Sequence, residues 1–416
     1  MRKSADVVIL MLQNFENLNV RLLFSKSLEE DLYQQYRPDI PFSDRVVEYL
    51  NALSVSLVKD AESRMYPDVV TFAFFCRKAN LLSLKKRYTS NDNIRLGRGI
   101  LFHIAPSNVA INFAYSLVVG LLSGNYNIVR VSTKEFPQVD LIVKHIQTLS
   151  EADIYKEVSE RIVLVRYERT SDVTDFFSSI CNVRIIWGGD TTIAQIRKGS
   201  LPARSFDVTF ADRYSIAVIQ ADKIIQADSA TINSLAESFY NDTYLFDQNA
   251  CSSPHLVVWL GDKDSIKFSQ QRFWTVIQSI VERKYKFQNV LAVDKLTTFY
   301  RQSVSMPIEK MYNEDNSLVR VCLGELPQNM DQYRCAGGYF SEFSARSLDE
   351  IVSIINNKYQ TLAYYGIEKT SLIDFVVKNR LTGIDRIVPI GRTLDFSTVW
   401  DGYDLINTLS RECYVV

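Results

Sequence analysis

From residue 97 onward the chain repeats one pattern, and that pattern restricts the fold more than any other feature. Short apolar, β-branched runs alternate with longer segments of helical spacing. The runs 99–104, 128–131, 162–165, 183–187, 216–219 and 256–260 each predict a strand. Helical spacing follows over 109–122, from Pro137 with Ile142, Val143 and Ile146 on one face, over 173–180, from Asp190, over 228–240 and over 265–282. The alternation resumes between 348 and 377. Strands that alternate with helices in this way form parallel sheets covered on both faces. The expected fold is α/β, with two parallel-sheet lobes that change over near 210–225.

Composition sets outer bounds. The chain has 416 residues, which suggests two or three domains at roughly 100–200 residues each. A net charge of −1 gives no grip on nucleic acid. The three histidines, His103, His145 and His255, argue against a histidine-rich metal site, so no metal is expected. Six scattered cysteines with no Cys-x-x-Cys pair fit reduced thiols. No stretch approaches the ~18 apolar residues of a membrane-spanning helix. Met1-Arg2-Lys3 and the apolar run 7–12 resemble the start of a signal peptide, but Asp6 interrupts and no cleavage box follows. That run is read as a short strand or the start of a helix, and the expected location is cytoplasmic. Residues 1–90 are mostly helical in spacing, with helices predicted over Asp44–Lys59 and 69–84 after a break at Pro38 and Pro41. They carry no legible chemistry, and packing or homo-oligomer contacts are expected of them.

Four places could carry chemistry. Cys251 lies in a polar connection, Asp247-Gln248-Asn249-Ala250-Cys251-Ser252-Ser253-Pro254, between a helix and a strand. Such a thiol is accessible and can be activated, or it can be an inert loop cysteine. Asn108 follows the 99–104 strand, where ligands bind in open α/β sheets. Its amide could donate to an oxyanion, or it could cap the following helix. Gly188-Gly189 follows a strand and lets a cofactor approach the backbone, or it is a plain turn. His255 stands four residues after Cys251, but Ser253-Pro254 prevents helical facing, so it reads as structural.

Four segments together resemble the aldehyde dehydrogenase fold. More closely, the chain is similar to the bacterial fatty acyl reductases of luminescence systems (LuxC type), which reduce long-chain acyl-CoA or acyl-protein thioesters. The segments are GRGILFHIAPSNVAINFAYSLVVGLLSGNYNIVRVSTKEFPQVD at 97–140, IIWGGDTTIAQIRK at 185–198, DQNACSSP at 247–254 and GIDRIVPIGRTLDFSTVWDGYDLINTLSR at 383–411. The resemblance covers about residues 95–416 and leaves the mostly helical segment 1–90 outside it; it implies a dinucleotide-binding domain over 91–215. It further implies a catalytic thiol domain over 216–382 and a return segment over 383–416. Cys251 takes the nucleophile position, and Asn108 the oxyanion position beside the nucleophile's own N–H. Ala105, Pro106, Arg130, Ser132, Thr133 and Lys134 fall at cofactor-binding positions, with Arg130 where these enzymes place a lysine near the adenosine ribose. Gly188 and Gly189 match the turn beside the nicotinamide. An acyl-activating or acyl-transferring protein partner is implied as well.

Two departures matter. Oxidising relatives carry a general-base glutamate that activates water, and Thr209 stands roughly in its place. That favours reduction of an acyl thioester over oxidation of an aldehyde. The box that grips the nicotinamide ribose is replaced by Arg334-Cys335-Ala336-Gly337-Gly338. No acid follows the 128–131 strand until Glu135, whereas Arg130 and Lys134 are close in sequence. The expected cofactor is NADPH, with NADH the alternative. The rival functions are an NAD(P)-dependent oxidising aldehyde dehydrogenase and a non-catalytic interaction subunit.

Overall fold

The computed structural model describes residues 20–25, 37–88, 94–168 and 171–414, so the apolar run 7–12 lies outside the described residues. The chain forms two compact units, Met1–Ala211 with Phe396–Val416, and Asp212–Asp395.

The first unit is built on β1 (Arg21–Ser25), β3 (Ile100–Ile104), β4 (Tyr126–Val131), β5 (Ile162–Arg166), β6 (Val183–Trp187) and β7 (Phe206–Phe210), with β2 (Ile94–Gly97) outside this sheet. The sheet order is β1-β5-β4-β3-β6-β7. All neighbours are parallel except the antiparallel edge pair β1 and β5. The strands β3, β4, β5 and β6 are buried at every position, as unalternating apolar runs require. The chain winds from β3 through β4 to β5 on one side and then to β6 and β7 on the other. The switch point between β3 and β6 is where such sheets open a ligand crevice beyond the strands' carboxyl ends.

The helix Asn112–Leu122 is buried along almost its whole length, because it is apolar all round. A polar cluster lies beneath it. His103 Nε2–H donates to Asn127 Oδ1 at 3.1 Å, while the Ser116 hydroxyl donates to Nδ1 at 2.7 Å. Burial pushes the His103 pKa down to about 4. The unfolded chain therefore binds a proton near pH 6.5 that the folded chain refuses. The stability contributed by the neutral ring is present above pH ~6.5 and is lost as pH falls toward ~4, by about 3 kcal/mol. Asp242 opposes this trend, since burial raises its pKa to about 6. Its contribution is complete below its unfolded value and is lost as pH rises through about 6. Urea midpoints of wild type and His103→Gln separate the two effects. The stability difference between them is expected to shift by about 3 kcal/mol between pH 7 and pH 4, and a pH-independent difference would contradict a neutral His103.

The single helix expected over 69–84 is two, Pro67–Phe75 and Lys78–Lys85. Arg77 turns extended, and the Lys78 N–H donates to Asn51 Oδ1 at 3.0 Å instead of continuing the first helix.

The second unit carries β8 (Tyr214–Gln220), β9 (Pro254–Leu260), β10 (Ile308–Asp315), β11 (Leu318–Leu323), β12 (Tyr339–Ala345), β13 (Tyr359–Tyr365) and β14 (Arg386–Pro389). Their order is β10-β11-β12-β9-β8-β13-β14. β10 and β11 form an antiparallel edge hairpin, and the other pairs are parallel. Helices such as Ser229–Tyr244, Lys263–Lys284 and Val290–Ser305 accompany the sheet, which has separate apolar cores.

The last residues are shared between the units. Arg386 on β14 is buried and donates to the carbonyls of Thr393 and Asp395 at 2.9 Å each. From Phe396 the chain belongs to the first unit, through β15 (Val399–Trp400), β16 (Tyr403–Asp404) and β17 (Ser410–Cys413). β17 pairs antiparallel with β2. Among the described residues no helix is long and apolar enough to cross a membrane.

Candidate active site

Cys251 sits at the amino end of β9 on a connection held from several directions. After the helix Ser229–Tyr244, both Asp247 (φ 50°) and Gln248 (φ 60°) adopt left-handed backbone. Such a conformation costs a non-glycine residue on the order of 1 kcal/mol. Hydrogen bonds from Gln248, which is fully buried, offset it. Its Nε2 donates to the carbonyls of Pro254 (2.9 Å) and Tyr339 (3.1 Å). Its Oε1 accepts from the N–H groups of Gly338 (3.0 Å) and Tyr339 (3.1 Å). Arg334 donates to the Asn249 carbonyl at 2.8 Å, and the Gly337 N–H to that of Asp247 at 2.9 Å. The Ser215 hydroxyl donates to the Cys251 carbonyl at 2.7 Å and accepts from the Thr361 N–H at 3.2 Å.

The sulfur itself is half-buried, and Gln360 Nε2 approaches it at 3.5 Å. Burial lowers the thiolate fraction of four other cysteines. Burial pushes Cys76 and Cys335 up, and raises Cys181 and Cys322 to about 12. His255 is buried, stacks on Tyr214 and donates Nδ1–H to the Cys335 carbonyl at 3.0 Å. Burial, with the Arg334 charge, holds its pKa well below the usual value, so it is neutral and committed elsewhere. Glu237 on the preceding helix pairs with Lys284 at 2.6 Å.

Sequence reasoning missed several supports. The stretch 334–338, compared with a ribose-gripping box, braces the thiol loop instead. Gly338 has φ 85°, and a Cβ there would lie 2.3 Å from the Ser317 carbonyl oxygen. Lys295 is buried, donates to the Asn316 and Gly337 carbonyls, and burial lowers its pKa to about 8. Only the glycine pair was a signal in the sequence.

The first unit gathers the other candidates at the carboxyl ends of three neighbouring strands. Ala105, Pro106 and Asn108 follow β3, Ser132, Thr133 and Lys134 follow β4, and Gly188 and Gly189 follow β6. Asn108 is exposed, and the next helix begins only at Asn112 with Ile111 as its cap residue. The capping alternative for Asn108 is therefore removed. Gly188 and Gly189 have ordinary backbone angles, and a Cβ on Gly188 would only touch Thr192 at 3.4 Å. Local strain does not demand glycine there. Arg130 is buried, donates to the Tyr167 carbonyl at 3.1 Å and lies over the Tyr167 ring. Ser132 Oγ accepts from the Lys134 N–H at 3.1 Å. Arg166, which pairs in register with Val131, is buried with Nε and Nη2 making no hydrogen bond among the described residues. Its Nη1 lies 3.9 Å from Glu135 Oε1. Thr209 on β7 meets Arg197 Nη2 at 3.5 Å.

The profile of the acyl-CoA reductase (LuxC) family matches residues 77–412. The chain belongs to that family. Among the relatives of this LuxC-family chain is the long-chain acyl-protein thioester reductase of Vibrio harveyi, 23% identical over 302 residues, covering 71% of this chain and 59% of the relative. That of Aliivibrio fischeri is 25% identical over 166 residues, covering 40% and 33%. The matches thus span between a third and about six-tenths of these curated relatives' own lengths. The fold is aldehyde dehydrogenase-like. A salicylaldehyde dehydrogenase from Pseudomonas putida G7 superimposes with a TM-score of 0.65 at 13% identity, over 92% of this chain and 87% of that one. An indole-3-acetaldehyde dehydrogenase does so with 0.63 at 12% identity, over 89% and 83%.

Proposed function

We propose that this LuxC-family chain reduces a fatty acyl thioester, carried on coenzyme A or on a protein, to the fatty aldehyde through a thioester formed on Cys251. The observation that carries the reading is the half-buried sulfur on a loop braced from several directions, with an amide donor at 3.5 Å. Cys251 Sγ attacks the acyl carbon, a new carbon–sulfur bond forms, and the carrier thiolate leaves with its own bonding pair. The family resemblance, and not a distance between the two units, proposes the Asn108 amide and the Cys251 N–H as oxyanion donors, and one such donor is typically worth about 3 kcal/mol of barrier.

The first unit fits a dinucleotide. The switch-point crevice is flanked by the loops of Ala105, Pro106, Gly188 and Gly189. Among the described residues the buried Arg166 has no hydrogen-bond partner for two of its nitrogens, which suits a bound anion. Arg130 lies on β4, which pairs with the β5 strand of Arg166, and Ser132, Thr133 and Lys134 follow β4, so a 2′-phosphate is favoured, hence NADPH over NADH. When bound, the reduced nicotinamide supplies hydride to the acyl carbon. Thr209 offers no carboxylate to activate water, which protects the acyl-enzyme from hydrolysis and favours reduction. The relatives' names point to an acyl-protein donor, and acyl-activating or acyl-transferring proteins are the proposed partners.

Acyl-CoAs of graded length with NADPH test the direction. Cofactor consumption with stoichiometric aldehyde is expected, and faster turnover of aldehyde with oxidised cofactor would favour the oxidising alternative. Asn108→Ala should lower turnover by ~10²-fold with the cofactor Kd unchanged in a fluorescence titration. A wild-type rate would remove Asn108 from the mechanism.

A further inference from the structure

We infer that Gln360 is a catalytic residue whose side-chain N–H stabilises negative charge on the sulfur of Cys251. The inference rests on the acyl-Cys251 reading and adds a group that sequence reasoning did not single out. Gln360 is the second residue of β13, in a strand that reads Tyr-Gln-Thr-Leu-Ala-Tyr-Tyr, and it is fully buried. A buried amide is costly unless its hydrogen bonds are made. Its Oε1 accepts from the Thr361 hydroxyl at 3.2 Å, which fixes the orientation of the amide. Nε2 is thereby turned toward Cys251 Sγ at 3.5 Å. A neutral thiol is a weak acceptor, whereas a thiolate is a charged one, so the donor acts mainly on the anion. The backbone at both ends is fixed as well, because Ser215 bridges the Cys251 carbonyl and the Thr361 N–H.

The charge appears twice in the reaction. Before attack, the N–H enlarges the thiolate fraction of Cys251. After hydride from the reduced nicotinamide has added to the acyl carbon, an alkoxide lone pair forms the aldehyde carbonyl. The carbon–sulfur bond then breaks and its electron pair returns to Sγ, where the same N–H receives it.

Iodoacetamide alkylation of Cys251, followed by peptide mass spectrometry across pH, reads the sulfur directly. Gln360→Met removes the donor at similar volume, and Gln360→Glu replaces it with a carboxylate. The apparent thiol pKa is expected to rise by about one unit in the first and further in the second, with alkylation at pH 7 slowed about tenfold in the first. Thr361→Val, which releases the amide, should shift it in the same direction by less, and it supplies the answer if Gln360→Met does not fold. An unshifted pKa in folded variants overturns the role of Gln360. Cys251→Ser and an acylation assay of the wild type run alongside. Absence of acyl transfer to wild-type Cys251 defeats the underlying reading, whereas acyl transfer with an unshifted pKa defeats only the role of Gln360.

Discussion

Cys251→Ser should lower reduction of an acyl thioester by at least ~10⁴-fold while leaving the protein folded. Serine is slightly smaller than cysteine and fits the same space, and the bonds that brace this loop run through backbone carbonyls. Ser215 holds the Cys251 carbonyl, Arg334 holds that of Asn249 before it, and Gln248 holds that of Pro254 after it. The melting temperature is therefore expected to stay within a few degrees of wild type. The loss comes from the nucleophile alone, because a serine hydroxyl is far less ionised than a thiol and the described surroundings of Cys251 offer no imidazole to deprotonate it. His255 is bonded to the Cys335 carbonyl and kept neutral. Aldehyde production measured beside NADPH oxidation checks this, and near wild-type turnover would mean that another group receives the acyl chain.

The largest expected loss of stability comes from Gln248→Leu. The substitution leaves the carbonyls of Pro254 and Tyr339 and the N–H groups of Gly338 and Tyr339 without their partner. A buried polar group left unmade costs about 1–3 kcal/mol, so four of them approach the whole stability of a typical domain. The left-handed loop backbone at φ 60° would keep only main-chain support, chiefly its own N–H bonded to the Thr243 carbonyl at 2.6 Å. The second unit is expected to unfold at much lower urea, or not to fold, and Cys251 should then alkylate as a free thiol. A wild-type urea midpoint would show that the loop is held by other means.

The contrast between these residues explains what the sequence could disclose. Strands such as Val183–Trp187 were legible because their apolar runs carry the burial signal within themselves. The edge strand β10 was not, since polar and charged residues break its run. Cys251 stood out because its neighbours are small or polar, and because the surrounding segment resembles a known one. Gln248 and Gln360 looked like ordinary glutamines. Their roles arise from partners 91 and 109 residues away, a distance in the chain that no local pattern encodes. Asn108 shows the converse case. Its capping alternative was reasonable from spacing and fell only because the helix begins later, at Asn112.

The claim on which the rest depends is that one sulfur becomes loaded with an acyl group. Intact-protein mass spectrometry after mixing with a long-chain acyl-CoA, without cofactor, addresses it most directly. The expected result is a single added acyl mass that maps to Cys251, is absent in Cys251→Ser, and disappears with release of aldehyde when NADPH is supplied. No adduct, or an equal adduct in Cys251→Ser, would contradict it.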